Sequence, residues 1–60
     1  MIFKVGDRVT KDEVMKVENP TGIVEKVNSD YVVVKWENIN GHWHYTPEQS
    51  KQLEIINENR

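Results

Sequence analysis

Short stretches rich in apolar residues run along the whole chain, and polar segments separate them. The clearest stretch covers residues 31–37, where aromatic and β-branched side chains dominate, and another covers residues 23–27. Short runs of this composition between polar breaks are typical of β-strands, because β-branched and aromatic side chains pack well on a sheet. The same pattern predicts strands over residues 3–10, with a bend at Gly6 and Asp7, over residues 42–46 and over residues 53–56.

The dipeptide Asn40-Gly41 predicts a tight hairpin between two of these strands. Asparagine and glycine are the residues that best accept the positive φ angles of a type I′ turn. A two-residue loop at this point would place Trp36 opposite Tyr45, with both side chains on the inner face of the sheet.

Three other segments have the residues of turns. Residues 19–22, Asn-Pro-Thr-Gly, match a type I turn, and residues 14–17 alternate weakly and fit a loop or a hairpin arm. Thr46, Pro47 and Gln49 occupy the N-cap, the first helical position and the capping-box position of one helical turn. We therefore expect a short helical turn before the last strand.

The polar break at residues 28–30 sets the pairing of the two central strands. In the simplest register, Val24 lies opposite Val34 and Gly22 lies beside Trp36, unless a bulge shifts the pairing by one residue. A glycine at this position leaves room for the indole ring.

The kinds of apolar residue also favour strands. Of the 22 apolar residues among the 60, nine are valine and five are isoleucine, whereas leucine occurs once and alanine is absent. β-Branched side chains lose rotamer freedom in helices and pack well on sheets. We therefore predict an all-β protein in which residues 1–60 form one domain. Because the chain has no cysteine, neither disulfides nor a cysteine-bound zinc ion can support so small a core.

Charge and hydropathy bear on the kind of partner and on the cellular location. Eight Lys and Arg against ten Asp and Glu give a formal net charge of −2, whereas nucleic-acid-binding domains usually carry a basic stripe. No stretch approaches the roughly 20 apolar residues that a membrane-spanning helix needs. No signal-peptide pattern is present at the amino terminus, so we expect a cytoplasmic protein.

Several short motifs occur in an order that resembles one group of folds. They are Val5-Gly6-Asp7-Arg8-Val9, the valines that follow Gly22 at positions 24 and 27, Val32-x-Val34-x-Trp36, and Tyr45 with Pro47 ahead of Leu53-x-Ile55. Together they resemble the SH3-like small barrels, a superfamily that includes Tudor, KOW and Mind-bomb/HERC2-type domains. The resemblance implies a five-stranded antiparallel small barrel over about residues 4–56, and it does not specify a function.

Candidate enzymatic chemistry is sparse. The chain has no nucleophilic cysteine, no phosphate-binding glycine loop and no serine, histidine and acid set around a cleft. The segment 6–9 is similar to the barrel start of the type II dihydrofolate reductases, and Tyr45 stands where their Val-Gln-Ile-Tyr stretch ends. This chain reads His-Trp-His-Tyr there, so only the tyrosine is kept. We predict no enzymatic activity, with a reductase-like pore as a minor alternative.

His42 and His44 are two residues apart and share one face of the predicted strand, and the expected register brings Glu37 beside them. Two imidazoles and a carboxylate are a candidate metal triad. The alternative is a pair of solvent-facing histidines with Glu37 as a cross-strand neighbour. We favour the second interpretation and predict neither a metal nor a cofactor.

The outward-facing apolar residues are the main candidate for function. Ile23, Val33 and Ile39 alternate with the predicted core and should face solvent, as should Tyr31. Adjacent exposed apolar residues indicate either a contact surface or a cover supplied by residues 1–5 or 14–17. The partner-binding set predicted from this face is Ile23, Val33, Lys35, Ile39 and Trp43, with Trp43 as a partly exposed anchor.

The predicted function is therefore a non-enzymatic protein-interaction module. Self-association, or a role as a small bacterial or phage-encoded regulator, fits so short a chain rich in Lys, Glu, Asn and Ile. The alternative is a nucleic-acid or nucleoprotein-binding module of the KOW or Tudor kind, for which the predicted residues are Lys26, Tyr31, Lys35 and Trp43.

Overall fold

The computed structural model describes residues 3–56 of the chain. Seven strands and one short helix follow one another along it. They are β1 (Arg8–Thr10), β2 (Glu13–Val14), β3 (Val17–Glu18), β4 (Thr21–Val27), β5 (Val32–Trp36), β6 (Trp43–Tyr45), α1 (Pro47–Ser50) and β7 (Glu54–Ile55).

Five of the strands form one antiparallel sheet in the order β6-β5-β4-β1-β7, and β2 and β3 form a separate hairpin. The all-β class, the five-stranded antiparallel sheet and the helical turn before the last strand are thus confirmed. Strands β6 and β7 lie at the two edges of this sheet. The part of the chain that the structure describes has no helix of the length and hydropathy needed to cross a membrane.

The core lies on one face of the sheet. Val9, Val24, Val32, Val34 and Trp36 are completely buried there. These residues come from β1, β4 and β5, whose register places their inward side chains side by side. Val14, Ile39 and Leu53 complete the buried cluster, and Phe3, Val27, Trp43 and Tyr45 pack against it from the rim.

The predicted register of the two central strands is confirmed. Val24 lies opposite Val34 and Gly22 lies opposite Trp36, and a bulge between Val24 and Lys26 shifts the rest of the pairing by one residue. The expected reason for the glycine is also confirmed. A Cβ atom at position 22 would lie 2.7 Å from Cε3 of Trp36 and 2.9 Å from Cγ1 of Val34.

The predicted hairpin at Asn40-Gly41 is wrong. Tyr45 pairs with Val32, which lies four residues before Trp36 in β5, and the connection between β5 and β6 is a loop over residues 37–42. Positive φ angles occur at Asn38 (64°) and Gly41 (98°) and not at Asn40, so the loop is not a type I′ turn. Because the shift is an even number, Tyr45 still faces inward as predicted.

The burial of Ile39 explains this longer loop. In a two-residue hairpin, β5 would extend to Ile39, and the Ile39 side chain would point to the same outer face as Lys35 and be exposed to solvent. Instead its backbone N–H donates to Trp36 O (3.4 Å) and its side chain enters the core, where it is 8% exposed. Burial of an isoleucine contributes about 1.5–3 kcal/mol, which outweighs the local turn preference of Asn-Gly.

The type I turn predicted over residues 19–22 is also wrong. Asn19 has a positive φ of 50°, and β4 already begins at Thr21. The turn of the β2–β3 hairpin lies at Met15 and Lys16, both with positive φ (52° and 68°). This pair of angles is that of a type I′ turn, although neither residue favours it.

The predicted helix cap is confirmed. The Thr46 side chain accepts from the Gln49 backbone N–H (3.2 Å), and Oε1 of Gln49 accepts from the Thr46 backbone N–H (3.1 Å). Pro47 begins the helix as expected. This reciprocal capping box orients the helix next to the end of β6.

We expect Gly22→Ala to lower the free energy of unfolding by about 1–3 kcal/mol, because the added methyl group overpacks a rigid site. The backbone at Gly22 does not have a positive φ, so alanine causes no backbone strain there. Urea denaturation followed by tryptophan fluorescence measures the change. An unchanged midpoint would contradict the close approach of Trp36.

Candidate functional site

A groove of about 430 Å³ lies along the outer edge of β6. Trp43, His44 and Tyr45 all line it. These residues are consecutive in one strand, so their side chains alternate between the two faces of the sheet. A groove that touches all three must therefore follow the edge of the strand rather than either face. Strand β6 is an edge strand of the five-stranded sheet, which agrees with this position.

Two other parts of the chain form the opposite walls. The segment that leads into the β2–β3 hairpin contributes Lys11, Glu13, Val14 and Met15, and the helical segment contributes Gln49 and Gln52. The lining mixes apolar and aromatic side chains with polar ones. It combines one basic and one acidic residue with two amides, so neither sign of charge dominates.

The tip of the hairpin is both exposed and strained. The Met15 side chain is 68% exposed, although methionine is a residue that usually lies in a core. Each positive φ at a residue other than glycine costs about 1–2 kcal/mol, and the turn has two of them, at Met15 and Lys16. Backbone strain of this kind concentrates at binding sites and switches.

Tyr45, which lines the groove, is hydrogen-bonded to the fully buried Trp36. The indole N–H of Trp36 donates to the Tyr45 hydroxyl at 3.0 Å, and the two rings meet edge to face with centroids 6.4 Å apart. Burial raises the pKa of Tyr45, and the hydrogen bond from Trp36 offsets part of that rise because it stabilises the phenolate. The hydroxyl therefore stays protonated and can serve as an acceptor for the indole throughout the neutral range.

Trp43 has a polar atom without a partner. Its indole nitrogen is buried and makes no hydrogen bond within residues 3–56. Trp43 is half-buried and packs against the core, in agreement with the partly exposed ring expected at this position. A buried donor that lacks a partner costs about 1–3 kcal/mol.

The predicted partner-binding set is not brought together. Ile23, Val33 and Lys35 lie on the outer face of the sheet, whereas Ile39 belongs to the core and Trp43 faces the groove. The expectation that Val33 and Ile39 face solvent is wrong, because they are 7% and 8% exposed. Ile23 is half-buried.

Polar neighbours cover the outer face at Val33. In the register, Val33 lies between Lys26 and His44, and the Tyr31 ring contacts the His44 ring with centroids 5.0 Å apart. The bulge in β4 adds Glu25, whose Oε1 lies 3.0 Å from Nε2 of His42. Since β5 lies between β4 and β6, this contact crosses the outer side of β5. Side chains in and next to the sheet thus cover Val33. Of the two segments considered as an alternative cover, residues 14–17 form the β2–β3 hairpin, and residues 1 and 2 of the other lie outside the described part.

The residues of the nucleic-acid alternative are also divided. Lys26, Tyr31 and Lys35 share the outer face, but Trp43 pairs with the inward-facing Val34. Glu25 lies on the same outer face, so the two lysines there are accompanied by acidic charge. A continuous basic and aromatic surface is therefore not formed by this set.

The histidines and the predicted carboxylate are separated. His42 contacts Glu25, whereas Glu37 lies 3.9 Å from the Arg8 guanidinium. Within residues 3–56, no three side chains of His, Cys, Asp or Glu are arranged to hold a metal ion. The register shift along β5 accounts for the separation, because it places His44 opposite Val33 rather than opposite Glu37.

Sequence reasoning identified Trp43 but missed the groove around it. The segment over residues 11–15 is far in the chain from β6 and from the two glutamines, and no sequence motif joins these parts. Comparison of the chain with models of known protein families gives no match, and comparisons with curated proteins and with solved structures give none either. Function must therefore be argued from the geometry.

We expect Tyr45→Phe to lower the free energy of unfolding by about 1–3 kcal/mol at neutral pH, because the indole N–H of fully buried Trp36 loses its acceptor. Urea denaturation measures the loss. The matched control is Tyr31→Phe, since the Tyr31 hydroxyl makes no hydrogen bond in the described part of the chain. Equal stability of the two variants would contradict the role of the Trp36–Tyr45 bond.

The pH dependence of the same pair of proteins provides a second check. Because the folded-state pKa of Tyr45 is raised, the folded protein binds the phenolic proton more tightly than the unfolded chain does. This contribution to stability is complete below the unfolded pKa of about 10 and is lost as the pH rises through the folded-state pKa. The stability difference between wild type and Tyr45→Phe should therefore shrink at strongly alkaline pH.

Proposed function

We propose that this protein is a non-enzymatic interaction module that binds an extended segment of a partner protein along the edge of β6. The observation that carries the proposal is the groove lined by three consecutive residues of this edge strand. The bound segment would add a strand to the sheet, in the manner of β-strand addition.

The backbone of β6 supplies the first argument. In an antiparallel pair, about half of the N–H and C=O groups of an edge strand point away from its neighbour. On β6 these groups point toward the groove, because β5 occupies the other side. An extended peptide is the ligand class whose own backbone matches such a row of donors and acceptors.

The side chains that line the groove supply the second argument. Met15, Trp43 and Tyr45 offer apolar and aromatic surface, and Lys11, Glu13 and Gln52 form a polar rim. Aromatic residues and methionine are enriched in interface centres, with polar residues at their margins. A strand bound here would present every second side chain to this surface, so we expect partner segments with an apolar residue at alternate positions.

The unpartnered indole N–H of Trp43 supports the same conclusion. A binding segment has a carbonyl oxygen at every residue, and one of these could accept from Trp43 if binding opens access to the buried indole nitrogen. Recovery of a hydrogen bond that the unbound protein lacks would then favour the bound state. The turn at Met15 and Lys16 is strained, so a change of its backbone conformation on binding would release unfavourable energy.

The proposal revises the partner surface expected from the sequence. An apolar outer face was the expected contact, but Val33 and Ile39, two of its three aliphatic members, are buried within the single chain. The edge of β6 retains exposed apolar surface at Met15. Trp43 is the one residue of the expected set that the proposed surface keeps.

We expect Met15→Glu to weaken binding of an extended peptide about tenfold, because the substitution places a charge on exposed apolar surface of the groove. A peptide selected from a displayed random library against the full chain serves as the probe, and its Kd is measured by titration. Val5→Glu is the matched control, since Val5 is 67% exposed, close to the 68% of Met15, and does not line the groove. It should bind the peptide as the wild type does.

Backbone amide resonances locate the bound peptide. In the expected result, resonances of β6 shift and their amide protons exchange more slowly, since strand addition pairs them. Shifts confined to Lys26, Tyr31 and Lys35, with an oligonucleotide retained only at low salt, would support the nucleic-acid alternative and contradict the proposal. A mass that doubles with concentration and excludes the peptide would show that a second copy occupies the edge instead.

A further inference from the structure

The loop that connects β5 and β6 exposes an asparagine followed by glycine. Asn40 and Gly41 are both exposed, and nothing lies within 4 Å of the position that a Cβ atom would take at Gly41. Neither the Asn40 side chain nor the Gly41 backbone N–H makes a hydrogen bond among the described residues. Because the loop is not a tight hairpin, its backbone is not held by cross-strand pairing.

We infer that Asn40 is a site of spontaneous deamidation in the folded protein. The Gly41 backbone nitrogen loses its proton to base and attacks Cγ of Asn40, so that an N–C bond forms. The Cγ–Nδ2 bond breaks and the amide leaves as ammonia, which gives a cyclic succinimide. Water then opens the ring at either carbonyl and produces aspartate or isoaspartate, with no oxidant or reductant required.

Two structural features favour deamidation at Asn40-Gly41 over deamidation at other asparagines. Glycine at position 41 has no side chain to obstruct the approach of its nitrogen, and its exposure admits the water and base that the reaction needs. The Asn40 side chain would have to rotate toward the following residue, and no hydrogen bond holds it away.

The other asparagines in the described part of the chain are protected. Oδ1 of Asn28 accepts from the backbone N–H groups of Asp30 (2.8 Å) and Tyr31 (2.9 Å), which fixes that side chain in a turn. Asn19 precedes Pro20, which has no N–H to attack. Asn38 precedes Ile39, whose branched side chain is buried and whose N–H donates to Trp36 O.

The product changes the charge and the backbone of the loop between β5 and β6. Each conversion adds a carboxylate to a chain whose formal net charge is −2, two residues from His42, which contacts Glu25. Isoaspartate also inserts a methylene group into the backbone of the loop that connects β5 to β6. The modification therefore lies near the beginning of β6, at the end of the strand that does not lead into α1.

Incubation of the full chain in mildly alkaline buffer, followed by peptide mapping with mass spectrometry, tests the inference. We expect most of Asn40 to convert to a mixture of aspartate and isoaspartate before conversion of Asn28 is measurable. The mass rises by the difference between a hydroxyl and an amino group, and a more acidic species appears on ion exchange. Asn40→Ser should abolish this species.

The unfolded chain in concentrated urea is the matched control. Asn40 should convert at a similar rate in folded and unfolded protein, whereas Asn28 should convert more slowly when folded because its side chain is bonded. If folding protects Asn40 strongly, or if Asn28 in the folded protein converts as fast as Asn40, the inference is wrong.

Discussion

The packing of Trp36 on Gly22 determines how the sheet is built. The indole is fully buried, and its edge lies so close to β4 that only a residue without a side chain fits opposite it. The ring also reaches across to Tyr45, so one side chain connects β4, β5 and β6. In a chain of this size a single large aromatic residue supplies a considerable part of the buried area, which explains why its neighbours adapt to it.

The β-bulge in β4, next to this contact, determines which side chains of β4 point to the inner face of the sheet and which to the outer face. Val24 stays on the inner face, and Glu25 gains an outward position from which it reaches His42. Together with the Tyr31–His44 ring contact, this pair closes over Val33, which is a valine on the outer face of a small sheet. Long polar side chains thus cover apolar surface that no second layer of structure covers, because their stems are apolar and their ends are solvated.

Sequence reasoning succeeded where the periodicity and a local motif agreed. The Val24–Val34 register, the glycine beneath Trp36 and the capping box at Thr46 all follow from short-range chemistry. It failed at Asn40-Gly41, because Ile39 is buried by residues that are distant in the chain. The free energy gained by this burial outweighs the preference of Asn-Gly for a type I′ turn. It could not find the groove, whose walls come from distant parts of the chain, and the resemblance to SH3-like barrels stays a prediction.

The consequences for function come from the position of β6 rather than from the total number of apolar residues. About half of those residues form the inner core or pack against it, and on the outer face of the central strands Val33 is buried and Ile23 is half-buried, so these strands have little exposed apolar surface to offer a partner. An edge strand differs because its exposed groups are backbone donors and acceptors, which side chains of the same sheet cannot satisfy. A small all-β protein that covers both of its faces therefore still has an edge with binding capacity. Here that edge lies beside the exposed Met15 and the buried, unpartnered indole N–H of Trp43, so apolar surface, an unsatisfied donor and unpaired backbone groups coincide at one place.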